Sequence, residues 1–171
     1  MSRILLLLLF YCCLLCHVAV SSDVLGKTSI HEKQQDPVEV HWYNTYDSVF
    51  ELRSTAQLKG FAELVNSGID FHQQEVRLAN DIFLNDTTGW EDWEKNPQDG
   101  FEQWIPIGQE DKPFCGTFDG RGHTIYGLYI NRGMASYYQG FFGLVLDGRI
   151  QNVHVKASFI KATTMLVVLQ G

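Results

Sequence analysis

The chain of 171 residues carries 13 Lys and Arg against 20 Asp and Glu, a formal net charge of −7. That balance excludes nucleic acid and anionic membrane surfaces as partners, because phosphate binding needs clustered cations. Aromatic residues make up 13% of the chain, which excludes a disordered tail and leaves enough material for one domain.

In chain order, Arg3 supplies a positive start, Ile4 to Cys16 form an unbroken apolar run, and small residues follow at Ala19, Ser21 and Ser22. This order predicts a secretory signal peptide over residues 1–22, cut after Ser21 or Ser22. The apolar run is too short for the roughly 20 residues of a membrane span, so membrane contact is expected through the signal alone. Cys16 raises the question of lipid attachment. Bulky Leu15 before it favours simple cleavage. Cys12, Cys13 and Cys16 leave with the signal, so Cys115 has no internal disulfide partner and reads as a small packed residue. Loss of Arg3 takes the charge from −7 to −8.

Residues 23–37 are polar, end at Asp36-Pro37, and read as a flexible linker. Val38 to Trp42 and Val49 to Leu52 alternate as short strands do. The period then changes. Ser54 followed by Gln57 forms a capping box, Ala56, Leu58, Phe61, Ala62, Leu64 and Val65 recur at helical spacing, and Gly68 supplies a left-handed stop. This predicts one amphipathic helix over 55–66. Beyond it, Val76, Leu78, Ile82 and Leu84 alternate around Asn80-Asp81, a polar Trp-rich excursion fills 85–104, and Ile105-Pro-Ile-Gly108 resumes the apolar pattern. Short strands broken by Gly, Asn and Asp, with no further helices, match a solenoid in which each coil buries its inward residues against the next. The helix is placed to cap its N-terminal end.

The segment from Ser54 to Gly68 is followed by Val76-Arg-Leu-Ala-Asn-Asp-Ile-Phe-Leu84 and Trp104-Ile-Pro-Ile-Gly108. Then come Phe114-Cys-Gly-Thr-Phe-Asp-Gly-Arg-Gly-His-Thr-Ile-Tyr-Gly-Leu-Tyr-Ile-Asn131, Gly140-Phe-Phe-Gly143 and Gly148-Arg-Ile-Gln-Asn-Val-His-Val155. This order resembles the N-terminal region of bacterial surface proteins with GLUG repeats, over residues 54–162. The Phe-Asp-Gly-x-Gly-His-Thr-Ile string is its most specific part. The resemblance implies a mainly β fold, a right-handed parallel β-helix of which residues 38–171 are the N-terminal cap and first coils, in a secreted or surface-associated, adhesin-like protein. GLUG-type stretches also occur in IgA-protease-type metallopeptidases. In the coils, Phe118, Ile125, Leu128 and Ile130 are expected inward, Asp119-Gly120 and Arg121-Gly122 at turns, and Asn131 and Asn152 at turns where they ladder between coils.

The chain departs from the repeat pattern at Thr163-Thr-Met-Leu-Val-Val-Leu-Gln-Gly171. One choice of codons for Met165 to Gly171, read in a shifted frame, spells Val-Gly-Gly-Phe-Ala-Gly. Two expectations stand side by side: a frameshifted or truncated piece of a longer protein, and a short protein whose apolar tail forms a last strand.

Catalytic patterns are absent from the sequence. His31, His41, His72, His123 and His154 stand apart, without His-Glu-x-x-His or Cys-x-x-Cys, so zinc chemistry lacks its ligands. There is no phosphate loop and no Gly-x-Ser-x-Gly elbow. Arg121-Gly-His123 beside Asp119 reads as a turn. The acidic excursion is the better candidate. Asp86, Asp92 and Asp99 are the candidate calcium ligands there, against the alternative of a solvated acidic face. Trp90 and Trp93 are the candidate contacts for a sugar ring or protein partner, and Trp104 is expected to pack. The expectation is therefore a non-catalytic extracellular adhesion or scaffold module without cofactor, its partner a polysaccharide or host protein. The alternative is the N-terminal accessory region of a larger secreted enzyme, a metallopeptidase or a polysaccharide-active enzyme.

Overall fold

The computed structural model describes residues 37–95, 100–132 and 138–161. The predicted signal peptide, Cys16, the linker up to residue 36, Asp99 and the apolar stretch from residue 163 lie outside the described residues.

Ser54 opens the one α-helix of the described residues. The Gln57 N–H donates to Ser54 Oγ at 3.2 Å, and the Arg53 N–H donates to the Gln57 side-chain oxygen at 2.7 Å. These reciprocal bonds satisfy amides that a first helical turn leaves without carbonyl partners. Helix α1 runs Thr55–Ser67 and stops at Gly68, whose φ of 113° lets the Gly68 and Ile69 amides fold back onto Val65 and Leu64. Its buried face carries Leu58, Phe61, Ala62 and Val65, the helical stripe read from the sequence.

The rest is strand and turn. The strands are β1 (Val49–Leu52), β2 (Glu75–Leu78), β3 (Ile82–Phe83), β4 (Thr117–Asp119), β5 (Thr124–Tyr126), β6 (Tyr129–Asn131), β7 (Arg149–Gln151), β8 (His154–Lys156) and β9 (Phe159–Lys161). They form three sheets, ordered β1-β2-β4-β7, β3-β5-β8 and β6-β9, and every strand pairing is parallel. From β4 onward the chain visits the sheets in fixed order, first, second, third, then first again. Among the described residues the fold is mainly β, in parallel sheets, with one α-helix.

Register puts like with like. Phe50, Val76 and Phe118 align in the first sheet, Leu52 with Leu78, and Ile82 with Ile125 in the second, and all are buried. Each contributes about 1.5–3 kcal/mol by leaving water. Phe61 reaches from the helix into this interior and stacks on Phe118 with ring centroids 5.7 Å apart. Leu128 and Ile130 are also buried, so all four residues expected inward are inward.

Two local expectations differ from the structure. Val38 to Trp42 is not a strand: its backbone turns, with the Tyr43 N–H donating to Val40 and the Trp42 indole to Glu39. Trp42 packs instead against Phe50 and Phe71, and Glu39 passes so close over the helix that a Cβ on Gly60 would sit 1.9 Å from its carbonyl oxygen. Asn131 lies within β6 rather than at a turn, its amide donating to the Tyr129 hydroxyl. Asn152 does turn, at φ 53°, but its bond to the neighbouring strand row goes to Asp119 and not to another Asn. The carboxylate already shapes the Asp119 turn by accepting the Arg121 N–H, so it is fixed in place to accept more.

Phe118 is fully buried between Phe61, Phe141 and Phe142. Replacing it with Ala is expected to lower unfolding free energy by about 3–5 kcal/mol in denaturant titrations followed by far-UV circular dichroism. Tyr46→Ala, at a side chain 95% exposed, is expected to change it by no more than about 0.5 kcal/mol.

Candidate functional site

The polar excursion leaves the stack at Asn85 and returns at Glu102, and one side chain closes it. Asn85 Nδ2 donates to the backbone carbonyls of Glu102 at 3.0 Å and Gly127 at 2.9 Å, while its Oδ1 accepts the Glu102 N–H at 2.8 Å. The returning chain then runs beside β6, with the Trp104 N–H donating to the Tyr129 carbonyl at 2.8 Å. The excursion is thus an insertion between the second and third sheets, held at its base. In the sequence Asn85 reads only as the first residue of a glycosylation sequon. Its amide is committed to the backbone on both sides, a role that no local pattern announces.

The candidate contact residues are not brought together. Trp93 is 1% exposed and packs against Phe101 and Tyr129, with centroids 4.5 and 5.7 Å away, so its ring faces protein. Trp90, on a single 3-10 turn at Trp90–Asp92, is 40% exposed and keeps a solvent-facing surface. Trp104 packs as expected, stacked on Phe141 and donating its indole N–H to that residue's carbonyl at 3.0 Å. The calcium candidates are separately engaged. Asp86 accepts both the Thr88 N–H and hydroxyl, at 3.0 and 2.8 Å, and Asp92 pairs with Lys95 at 3.3 Å. Among the described residues no three His, Cys, Asp or Glu side chains gather as a metal site.

Between α1 and the returning segment lies a groove of about 510 Å³, with Ala62, Leu84, Trp104 and Ile105 on its apolar walls. Lys59 and Glu102 form an ion pair within it, and Lys59 is buried. Helical spacing alone would send Lys59 to solvent; the excursion, folding back over the helix, covers it.

The Asp119–His123 stretch is a turn, as expected. Arg121 adopts φ 51° and its guanidinium pairs with Glu51 at 3.2 Å; His123 Nδ1 lies 3.3 Å from Asp81. Cys115 is half-buried, and desolvation, then Asp70 and Asp147, push its thiol above the ordinary value. A thiol so raised is a poor nucleophile at neutral pH.

Three carboxylates are held below the usual range: Asp81 by the Thr124 N–H and then His123, Asp86 by Thr88, and Asp119 by the Arg121 N–H and then Asn152 and Gln151. A carboxylate lowered in the folded state stabilises it above the unfolded value of about 3.9, and that contribution is lost as pH falls through the folded value. Melting temperature is therefore expected to drop on acidification below about pH 4, and Asp119→Asn should flatten that limb in a pH series of thermal melts. Asn85→Ala leaves three backbone groups without their partner. It is expected to cost about 1–3 kcal/mol and to quicken proteolysis within residues 86–101, read by mass spectrometry of the fragments.

Among the described residues no helix is long and apolar enough to cross a membrane. No protein-family model matches the chain. No solved structure matches it. Among curated proteins it is similar to halomucin of Haloquadratum walsbyi, with 30% identity over 151 residues, 88% of this chain. The chain spans 2% of the length of that relative.

Proposed function

We propose that the chain is the opening module of a longer secreted or cell-surface protein of the GLUG-repeat type, a non-catalytic adhesion or scaffold unit. Residues 38–161 would form the first coils of a right-handed parallel β-helix, with α1 closing the N-terminal end. The observation that carries this reading is the recurrence of three parallel sheets in fixed chain order with inward side chains in line. Right-handed connection is the rule for parallel crossovers. A stack of this kind is a rigid spacer that displays whatever loops are inserted in it. Here the inserted loop is the excursion tied down by Asn85, and it presents Trp90 outward. Similarity to a segment of halomucin, in a chain that opens with a signal-like sequence, supports the extracellular placement. The partner that fits an exposed indole on an acidic loop is a neutral polysaccharide, whose sugar faces stack on aromatic rings.

The test is expression of the full chain with its own leader in a bacterial host, followed by N-terminal sequencing of the exported product and retention on immobilised polysaccharides. Export with cleavage after Ser21 or Ser22, and retention weakened about tenfold by Trp90→Ala, are expected. Retention of the uncleaved chain in the cytoplasm overturns the surface reading. Polysaccharide or peptide hydrolysis by the purified chain overturns the non-catalytic one.

A further inference from the structure

Strands β7, β8 and β9 are each the last of their sheet, so a row of their backbone N–H and C=O groups has no strand beside it among the described residues. Their inward residues are open as well. Ile150, Val155 and Ile160 are 39%, 39% and 47% exposed, whereas their register partners Phe118, Ile125 and Ile130 are completely buried. This end of the stack is an apolar strip bounded by backbone donors and acceptors.

The charged side chains within these three strands are all of one sign. The three strands read Arg149-Ile-Gln151, His154-Val-Lys156 and Phe159-Ile-Lys161, with no carboxylate among them. Deeper in the stack, opposite charges do meet on one outward row: Glu51 stands beside Arg77, and Arg77 beside Asp119, whose neighbour in β7 is Gln151. An end bearing Arg149, Lys156 and Lys161 is out of keeping with a chain of net charge −7. It is also the wrong surface for a second copy, which would bring the same cations into contact, and like charges on adjoining strands are destabilising.

The backbone adds a second requirement. Gly116 and Gly148 occupy equivalent places, each immediately before a strand of the first sheet. A Cβ on Gly116 would lie 2.6 Å from the Phe71 carbonyl oxygen, and one on Gly148 would lie 2.8 Å from the Gly116 carbonyl oxygen. Each circuit therefore seats its glycine on a carbonyl of the circuit before it.

We propose that this end docks a further three-stranded coil, carried downstream on the same polypeptide, in parallel register. Its glycine lies over Gly148, and its outward residues opposite Arg149, Lys156 and Lys161 are acidic. The proposal rests on the reading of the chain as part of a longer stacked protein and specifies the chemistry of the incoming coil. Apolar inward residues of that coil cover Ile150, Val155 and Ile160, its backbone continues the three ladders, and its carboxylates pair with Arg149, Lys156 and Lys161, whose neighbours within the stack, Thr117, Tyr126 and Asn131, carry no charge.

The full chain is compared with forms extended after Gly171 by a repeat of residues 116–131. In one, the repeated segment carries Thr117→Glu, Tyr126→Glu and Asn131→Glu, the register positions opposite the three cations; in the other, the same positions are changed to Lys. Amide hydrogen exchange of β7, β8 and β9 is the readout, with protection of the Phe118 amide reporting that the host stack is folded. The acidic extension is expected to slow exchange at the three strands at least about tenfold, and the Lys extension to do so far less. Changing the repeated Gly116→Val should remove the protection. A charge swap guards against an extension that does not fold: Arg149→Glu, Lys156→Glu and Lys161→Glu in the host should transfer the protection to the Lys extension. Equal protection by both extensions, or none in any combination including the swap, overturns the proposal. So does a dimer of the unextended chain in sedimentation that protects the same amides, because the occupant is then a second copy. Export and polysaccharide retention do not enter this measurement, so failure of the surface reading is recognised separately.

Discussion

A parallel strand can satisfy neither its backbone nor its apolar side chain locally. Both must be met by a strand that arrives one circuit later in sequence, and the structure is organised by that requirement. Phe50, Val76 and Phe118 stand in one row although 68 positions separate the first from the last (118 − 50). Each three-residue strand is too short to persist alone, and stability comes from coincidence of register in three sheets at once. Phe61 strengthens the coincidence from outside the sheets. Its ring meets Phe71, Phe114, Phe118 and Phe142, so the helix is packed against side chains from successive circuits rather than from one.

Electrostatics work on this frame in two ways. On the outward row of the first sheet, Glu51, Arg77 and Asp119 alternate, and Arg121 reaches back to Glu51. Such exposed pairs contribute little stability individually, but they discriminate between registers, because a slip of one circuit would bring like charges together. Lys59 and Glu102 act differently. Lys59 is buried, where a charge needs a partner, so the ion pair joins the helix to the returning excursion.

Much of this order was legible in the sequence where the signal is local. The capping box, the helical stripe and the Gly68 stop define α1 to within a residue, because each depends on neighbours three or four positions away. The inward residues of β4 to β6 and the Asp119 turn were readable for the same reason. What was not legible depends on distant contacts. Val38 to Trp42 alternates like a strand, but Trp42 and Tyr43 are claimed by Phe50 and Phe71, and the segment turns to deliver them. Trp90 and Trp93 look equivalent in sequence. Only the approach of Phe101 and Tyr129 buries one and leaves the other out. Asn85 and Lys59 owe their roles to partners 17 to 43 residues away, beyond any periodicity.

The closure at Asn85 has an evolutionary consequence. Because one amide fixes both the exit and the re-entry of the excursion, the distance between its ends is set by the stack and not by the loop's own composition. Loop-closure entropy rises by only about 0.6 kcal/mol for each doubling of length, so the intervening residues can be lengthened, shortened or replaced at small cost to folding. The loop can then be exchanged as a cassette while the rows beneath it keep their register.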